Sequence, residues 1–145
     1  MCMKILHSIS LLVLLLAIVG CSGPTGGVTS RLNREAKAAG SPIRFKSEKQ
    51  GGHTVILKVL IDLPRGETKA NEALKKDILS KIERVESSKG RGAPEIEEIR
   101  LMPDGREVWV LKNMQFGVAY VIGMEPSPQG GIDFTVVGPE QYARH

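Results

Sequence analysis

The stretch Thr68–Ser88, TKANEALKKDILSKIERVESS, decides the reading of the fold. Leu74, Ile78, Ile82 and Val85 recur at spacings of four, four and three, which lays one apolar stripe along a helix. Gly90 lies just past it as the expected stop, because glycine enters the left-handed conformation of a helix end without steric cost. Glu72 precedes Lys76 and Asp77 precedes Lys81 by four residues, the order that suits an exposed helix face. A lone apolar stripe needs a surface to cover, and the flanking sequence supplies strands.

Upstream, Ile43–Ser47 places Ile43 and Phe45 on one side, and after Gln50, Gly51 and Gly52 the run His53–Leu63 alternates strictly. Val55, Leu57, Val59, Ile61 and Leu63 share one face, so this strand is expected to bury one side completely and to pair with its predecessor as a hairpin ended by Pro64. Downstream, Ile96–Met102 meets Glu107–Lys112 across Pro103, Asp104 and Gly105, an order suited to a tight turn. Val118–Met124 follows, then the turn Pro126–Gly131, then a last strand carrying Ile132, Phe134 and Val136, with the tail from Gly138 read as coil. The fold class is therefore α+β: an antiparallel sheet of about five to six strands, built as a hairpin, one long amphipathic helix and a meander, with the helix packed on one face.

The first twenty residues stand apart. Lys4 precedes Leu11–Val19, LLVLLLAIV. That run is short of the roughly 20 residues needed to cross a bilayer and suits the apolar region of an export signal. Translation starts at Met1 or Met3, the latter opening MKIL. The run ends in Ile18, Val19, Gly20 and Cys21, which resembles the lipobox of bacterial lipoproteins, with Ile18 where that family prefers Leu. The resemblance covers residues 1–21 alone. It implies that signal peptidase II recognises Ile18, Val19 and Gly20, cuts after Gly20, and leaves Cys21 carrying diacylglycerol on its sulfur. No cysteine follows Cys21, so it has no disulfide partner in the mature chain and is either a lipid carrier or a free thiol. In Gram-negative lipoproteins an Asp after the lipidated cysteine favours the inner membrane; Ser22 implies the outer membrane, facing the periplasm.

Three segments follow from this: residues 1–20 as signal peptide, 21–40 as lipidated cysteine and tether with a short helix over Ser30–Ala39, and 41–145 as a single domain. Ser22–Gly27, SGPTGG, reads as flexible spacer. Arg31, Arg34 and Lys37, three apart beside the anchor, form a basic helix face, either simply solvated or touching anionic head groups.

The 145 residues carry 20 Lys and Arg against 16 Asp and Glu, with 4% aromatics. That mild and interspersed excess lacks the basic stripe with stacking aromatics of a nucleic-acid binder. His53 is the one histidine away from the signal and the terminus, and without cysteines or a second histidine near it no zinc set can be drawn. No cofactor motif is present: the glycine pairs lack the following Lys and Thr of a phosphate loop. Glu95, Glu97 and Glu98 are the densest carboxylates, read as a solvated strand edge with Glu95 and Glu97 on one face and Glu98 on the other. Trp109 shares a face with Glu107 and Leu111 and reads as core or rim packing. The expected function is a lipid-anchored, non-catalytic binding or scaffolding module of the cell envelope, held to the membrane through Cys21 and meeting an envelope protein. The alternative is an inhibitor or immunity protein against a toxic or wall-degrading hydrolase. In a meander the turns at Asp104 and Gln129 emerge at one end, which makes these two residues the candidate partner surface.

Overall fold

The computed structural model describes residues 25–112 and 115–144. Its elements run α1 (Thr25–Ala38), β1 (Ile43–Gln50), β2 (His53–Leu60), α2 (Glu72–Ser88), β3 (Ile96–Leu101), β4 (Glu107–Leu111), β5 (Gly117–Pro126) and β6 (Ile132–Tyr142). The α+β class holds, with every strand pair antiparallel. The strands form two sheets, not one: the hairpin β1-β2 and the meander β3-β4-β5-β6.

The division arises where β2 stops. The alternation continues to Leu63, but Ile61 donates its N–H to Pro42 O at 2.8 Å and the chain leaves the ladder, carrying Leu63 under the larger sheet. Pro64–Gly66 then runs along the outer edge of β3, where Leu101 N donates to Pro64 O at 2.8 Å and Gly66 N to Ile99 O at 3.0 Å. The hairpin reaches the meander through Ala143 N–H on Lys58 O (2.7 Å) and the Lys58–Glu140 ion pair. The fully buried face expected of β2 is likewise partial. Val59 is buried, whereas Val55 and Leu57 are half-exposed because the far half of the hairpin extends past the sheet.

Helix α2 starts four residues later than its pattern predicts. Asn71 caps it, its side chain accepting from Leu74 N at 2.9 Å, while Thr68 and Lys69 instead donate to the Glu107 carboxylate of β4. Ile78 and Ile82 are fully buried against Trp109, Leu111, Val118, Tyr120 and Ile122. Lys81, expected opposite Asp77, lies with its ammonium 5.5 Å from the centre of the Phe134 ring. Val108, Val110, Ala119 and Val121 point to the opposite face, where Leu63 and Met102 cover them, so β4 is buried on both sides.

Two further expectations are corrected. Thr25–Gly27 belong to α1 and not to the spacer, and α1 docks on β1 instead of standing off in the tether. The Asn33 amide accepts from Phe45 N (2.7 Å) and donates to Phe45 O (3.0 Å), taking the place of a neighbouring strand on that edge. The tail is strand to Tyr142, not coil. β6 passes a bulge opposite Tyr120, where Gly138 (φ +141°) lets the backbone approach so closely that a Cβ would stand 2.9 Å from the Tyr120 ring.

Glu107, fully buried on the α2 face of β4, accepts from Thr68 Oγ1 (2.8 Å), Lys69 N (2.7 Å) and Trp109 Nε1 (2.7 Å). Glu107→Gln turns one acceptor oxygen into a donor facing donors. It is expected to lower stability by about 1–3 kcal/mol, read as a drop in the urea midpoint. Asn33→Ala is expected to lower protection of the Phe45 amide in hydrogen exchange while leaving the β4 and β5 amides unchanged.

Candidate functional site

Buried titratable groups are the first place to look for chemistry, and here both buried carboxylates serve the fold. Glu107 is saturated by its three donors. Glu86, at the end of α2, receives both the Nε and, at 2.8 Å, a terminal nitrogen of Arg91, together with the Tyr120 hydroxyl at 2.5 Å. Burial pushes the Glu86 carboxyl pKa up, but the hydrogen bonds from Arg91 and Tyr120 and the Arg91 charge outweigh it and hold the value below the usual range. Burial, followed by the neighbouring Glu86 carboxylate, pushes the Tyr120 hydroxyl up, so it stays a donor. Among the described residues no three His, Cys, Asp or Glu side chains gather as a metal site.

Cys21 and the residues before it, Ile18, Val19 and Gly20, lie outside the described residues. His53 is exposed beside the Gly51-Gly52 turn. Asp104 is occupied: it accepts from Arg106 N (3.1 Å) and Arg106 Nε (2.8 Å), which hold its carboxyl below the usual range. Arg106 also donates to Gly40 O at 3.1 Å, so this turn braces the junction of α1 and β1. Gln129 is exposed in the β5-β6 turn. The two turns share an end of the sheet at different heights. The β5-β6 ladder continues from Gly123–Thr135 to Pro126–Ile132, beyond the last β4-β5 pair at Glu107–Ile122. Four further residues at about 3.3 Å each carry Gln129 roughly 13 Å past the Asp104 turn.

The three clustered glutamates are not a bare solvated edge. Glu95 pairs with Lys112, Glu97 takes both terminal nitrogens of Arg144 (3.1 and 2.6 Å), and Glu98 lies between Arg65 (2.7 Å) and Arg100 (2.8 Å). A register shift between Ile96 and Glu98 breaks the alternation, so Glu97 and Glu98 line the same groove instead of opposite faces.

That groove has a volume of about 480 Å³. It runs between the β1-β2 hairpin, β3 and the end of β6, and its walls carry Arg44, Lys46, Arg65, Arg100 and Arg144 against Asp62, Glu97 and Glu98. Arg65, Arg100 and Arg144 are spent on the two glutamates, whereas Arg44 and Lys46 are exposed and enter no ion pair among the described residues. Tyr142 forms part of the wall, its ring lying so close over Gly117 that any side chain there would collide with it. The excess of arginine and lysine over carboxylates in these walls suits an anion. Sequence reasoning missed the groove because its walls come from five segments. Its one legible trace was Arg44 and Lys46, two apart on one strand face. Compared with protein-family models, curated proteins and solved structures, the chain matches none.

Because the Glu86 carboxyl titrates lower folded than unfolded, its stabilisation is complete above the usual carboxylate range and is lost as pH falls through the lowered folded value. Urea midpoints measured from about pH 6 down to about pH 3 are expected to fall for the wild type, and to fall less steeply for Glu86→Gln.

Proposed function

We propose that this chain is a lipid-anchored cell-envelope lipoprotein whose domain is a non-catalytic binding module, with the groove beneath the hairpin taking an acidic, extended segment of an envelope partner. The anchor rests on the apolar run Leu11–Val19 and the lipobox-like Ile18–Cys21, and in a Gram-negative cell Ser22 directs the protein to the outer membrane, facing the periplasm. The observation that carries the binding role is the wall of the groove, in which the acids are already paired while Arg44 and Lys46 stand ready for a ligand's charge. Consumption of Glu86 and Glu107 in internal hydrogen bonds supports a non-enzymatic reading. The protruding β5-β6 hairpin favours a second reading, an inhibitor or immunity protein that inserts the tip around Gln129 into a hydrolase cleft.

Intact-mass measurement of the membrane fraction is expected to show loss of residues 1–20 and added acyl mass on Cys21; an unmodified Cys21 sulfur removes the anchor. Capture from envelope extract is expected to survive Asp104→Ala with Gln129→Ala and to fall at least tenfold for Arg44→Glu with Lys46→Glu. The opposite pattern, with a hydrolase captured and inhibited, would establish the second reading.

A further inference from the structure

The positive charge of this protein is not spread over its surface. Residues 25–54 hold six Lys and Arg against two Asp and Glu, whereas residues 55–145 hold thirteen against fourteen. The excess therefore belongs to one arm, α1 with β1 and the hairpin turn, whose hairpin packs at its base, through Leu60 and Ile61, on the face of the meander opposite α2. All six cations, Arg31, Arg34, Lys37, Arg44, Lys46 and Lys49, are exposed. Within α1 the half-buried residues Val28, Leu32, Asn33 and Ala36 lie toward β1, and the helical repeat puts Arg31, Arg34 and Lys37 on the opposite side, facing outward.

The direction of α1 gives this charge a place. Asn33 sits beside Phe45 and the chain reverses at Gly40, so α1 runs antiparallel to β1. Thr25 lies eight residues before Asn33, about 12 Å at 1.5 Å per residue, which brings it level with the outer end of β1 near the Gly51-Gly52 turn. Cys21 precedes Thr25 by four residues, a reach of at most about 14 Å. A lipid on Cys21 thus enters the bilayer close to the tip of the arm.

We infer that the outer face of α1, with Arg31, Arg34 and Lys37, docks on an anionic lipid surface beside the anchor, so that the lipid and the basic face together hold the domain at a set orientation. This builds on the lipoprotein reading, which supplies the position of the membrane, but the contact itself is electrostatic and needs no acyl chain. Held this way, the outer face of α1 lies against the lipid.

The test uses the mature chain from residue 21 with Cys21→Ser, which contains every described element, and vesicles of phosphatidylcholine with or without about one third phosphatidylglycerol, at low salt. Co-sedimentation is expected with the anionic vesicles alone, falling at least tenfold at 0.5 M salt or in Arg31→Glu/Arg34→Glu/Lys37→Glu, and unchanged within about twofold in the matched variant Lys75→Glu/Lys76→Glu/Arg84→Glu on α2. Circular dichroism of both variants checks that they are folded. Absence of sedimentation with anionic vesicles, or an equal loss in the two variants, overturns the inference. Because this chain cannot be acylated, an unmodified Cys21 in cells would defeat the lipoprotein reading while leaving the vesicle result standing, and the reverse pattern would defeat the docking face alone.

Discussion

The carboxylate of Glu107 is the point on which the architecture turns. Removing a charged carboxylate from water costs several kcal/mol unless the protein replaces its hydration, and here Thr68, Lys69 and Trp109 do so together. Two of those donors belong to the connection between the hairpin and α2. Satisfying Glu107 therefore fixes the connection along β3, sets the start of α2 at Glu72, and orients the indole around which Ile78 and Ile82 pack. A hydrophobic residue at 107 would spare the desolvation cost but would leave Lys69 N and Trp109 Nε1 buried without acceptors.

From that connection the two layers follow. The meander presents Trp109, Tyr120 and Ile122 to α2 and Val108, Val110 and Val121 to Leu63 and Met102, so both faces are used within one sheet. The hairpin and α1 are joined to this body at few points: Gly40 O with Arg106, Lys58 with Ala143 and Glu140, and the packing of Leu60 and Ile61 against the meander. Few junctions and half-exposed apolar residues make the arm the part of the molecule with the lower local stability. The groove lies where arm and body meet, and the unpaired cations are on the arm's side of it. A ligand bound there would tie the two together.

Several of these features were legible in the residues. The stripe Leu74, Ile78, Ile82 and Val85 identified α2, and the Pro103-Asp104-Gly105 turn and the alternations on either side of it placed β3, β4 and β5 within a few residues. Trp109, on the face of Leu111, reads from the sequence as core or rim packing and is fully buried. The groove was not legible, because ion pairs such as Arg144–Glu97 and Arg65–Glu98 join residues 47 and 33 positions apart, and no local pattern encodes them.

Periodicity, turn chemistry and composition alone determined that this is an α+β protein with antiparallel strands and one dominant helix, because each of those signals acts over a few neighbouring residues. Only the tertiary structure decided that the strands divide into two sheets, since His53–Leu63 alternates without a break, yet its pairing ends at Pro42, which has no N–H to return to Ile61, and Leu63 packs beneath the larger sheet. It decided likewise that the tail becomes strand, because a run containing Gly138 and Pro139 looks like coil until β5 offers it a bulge. It also gathered Arg44, Lys46 and Arg144 around one groove, since charges far apart in the chain become neighbours only after the apolar faces have chosen their partners.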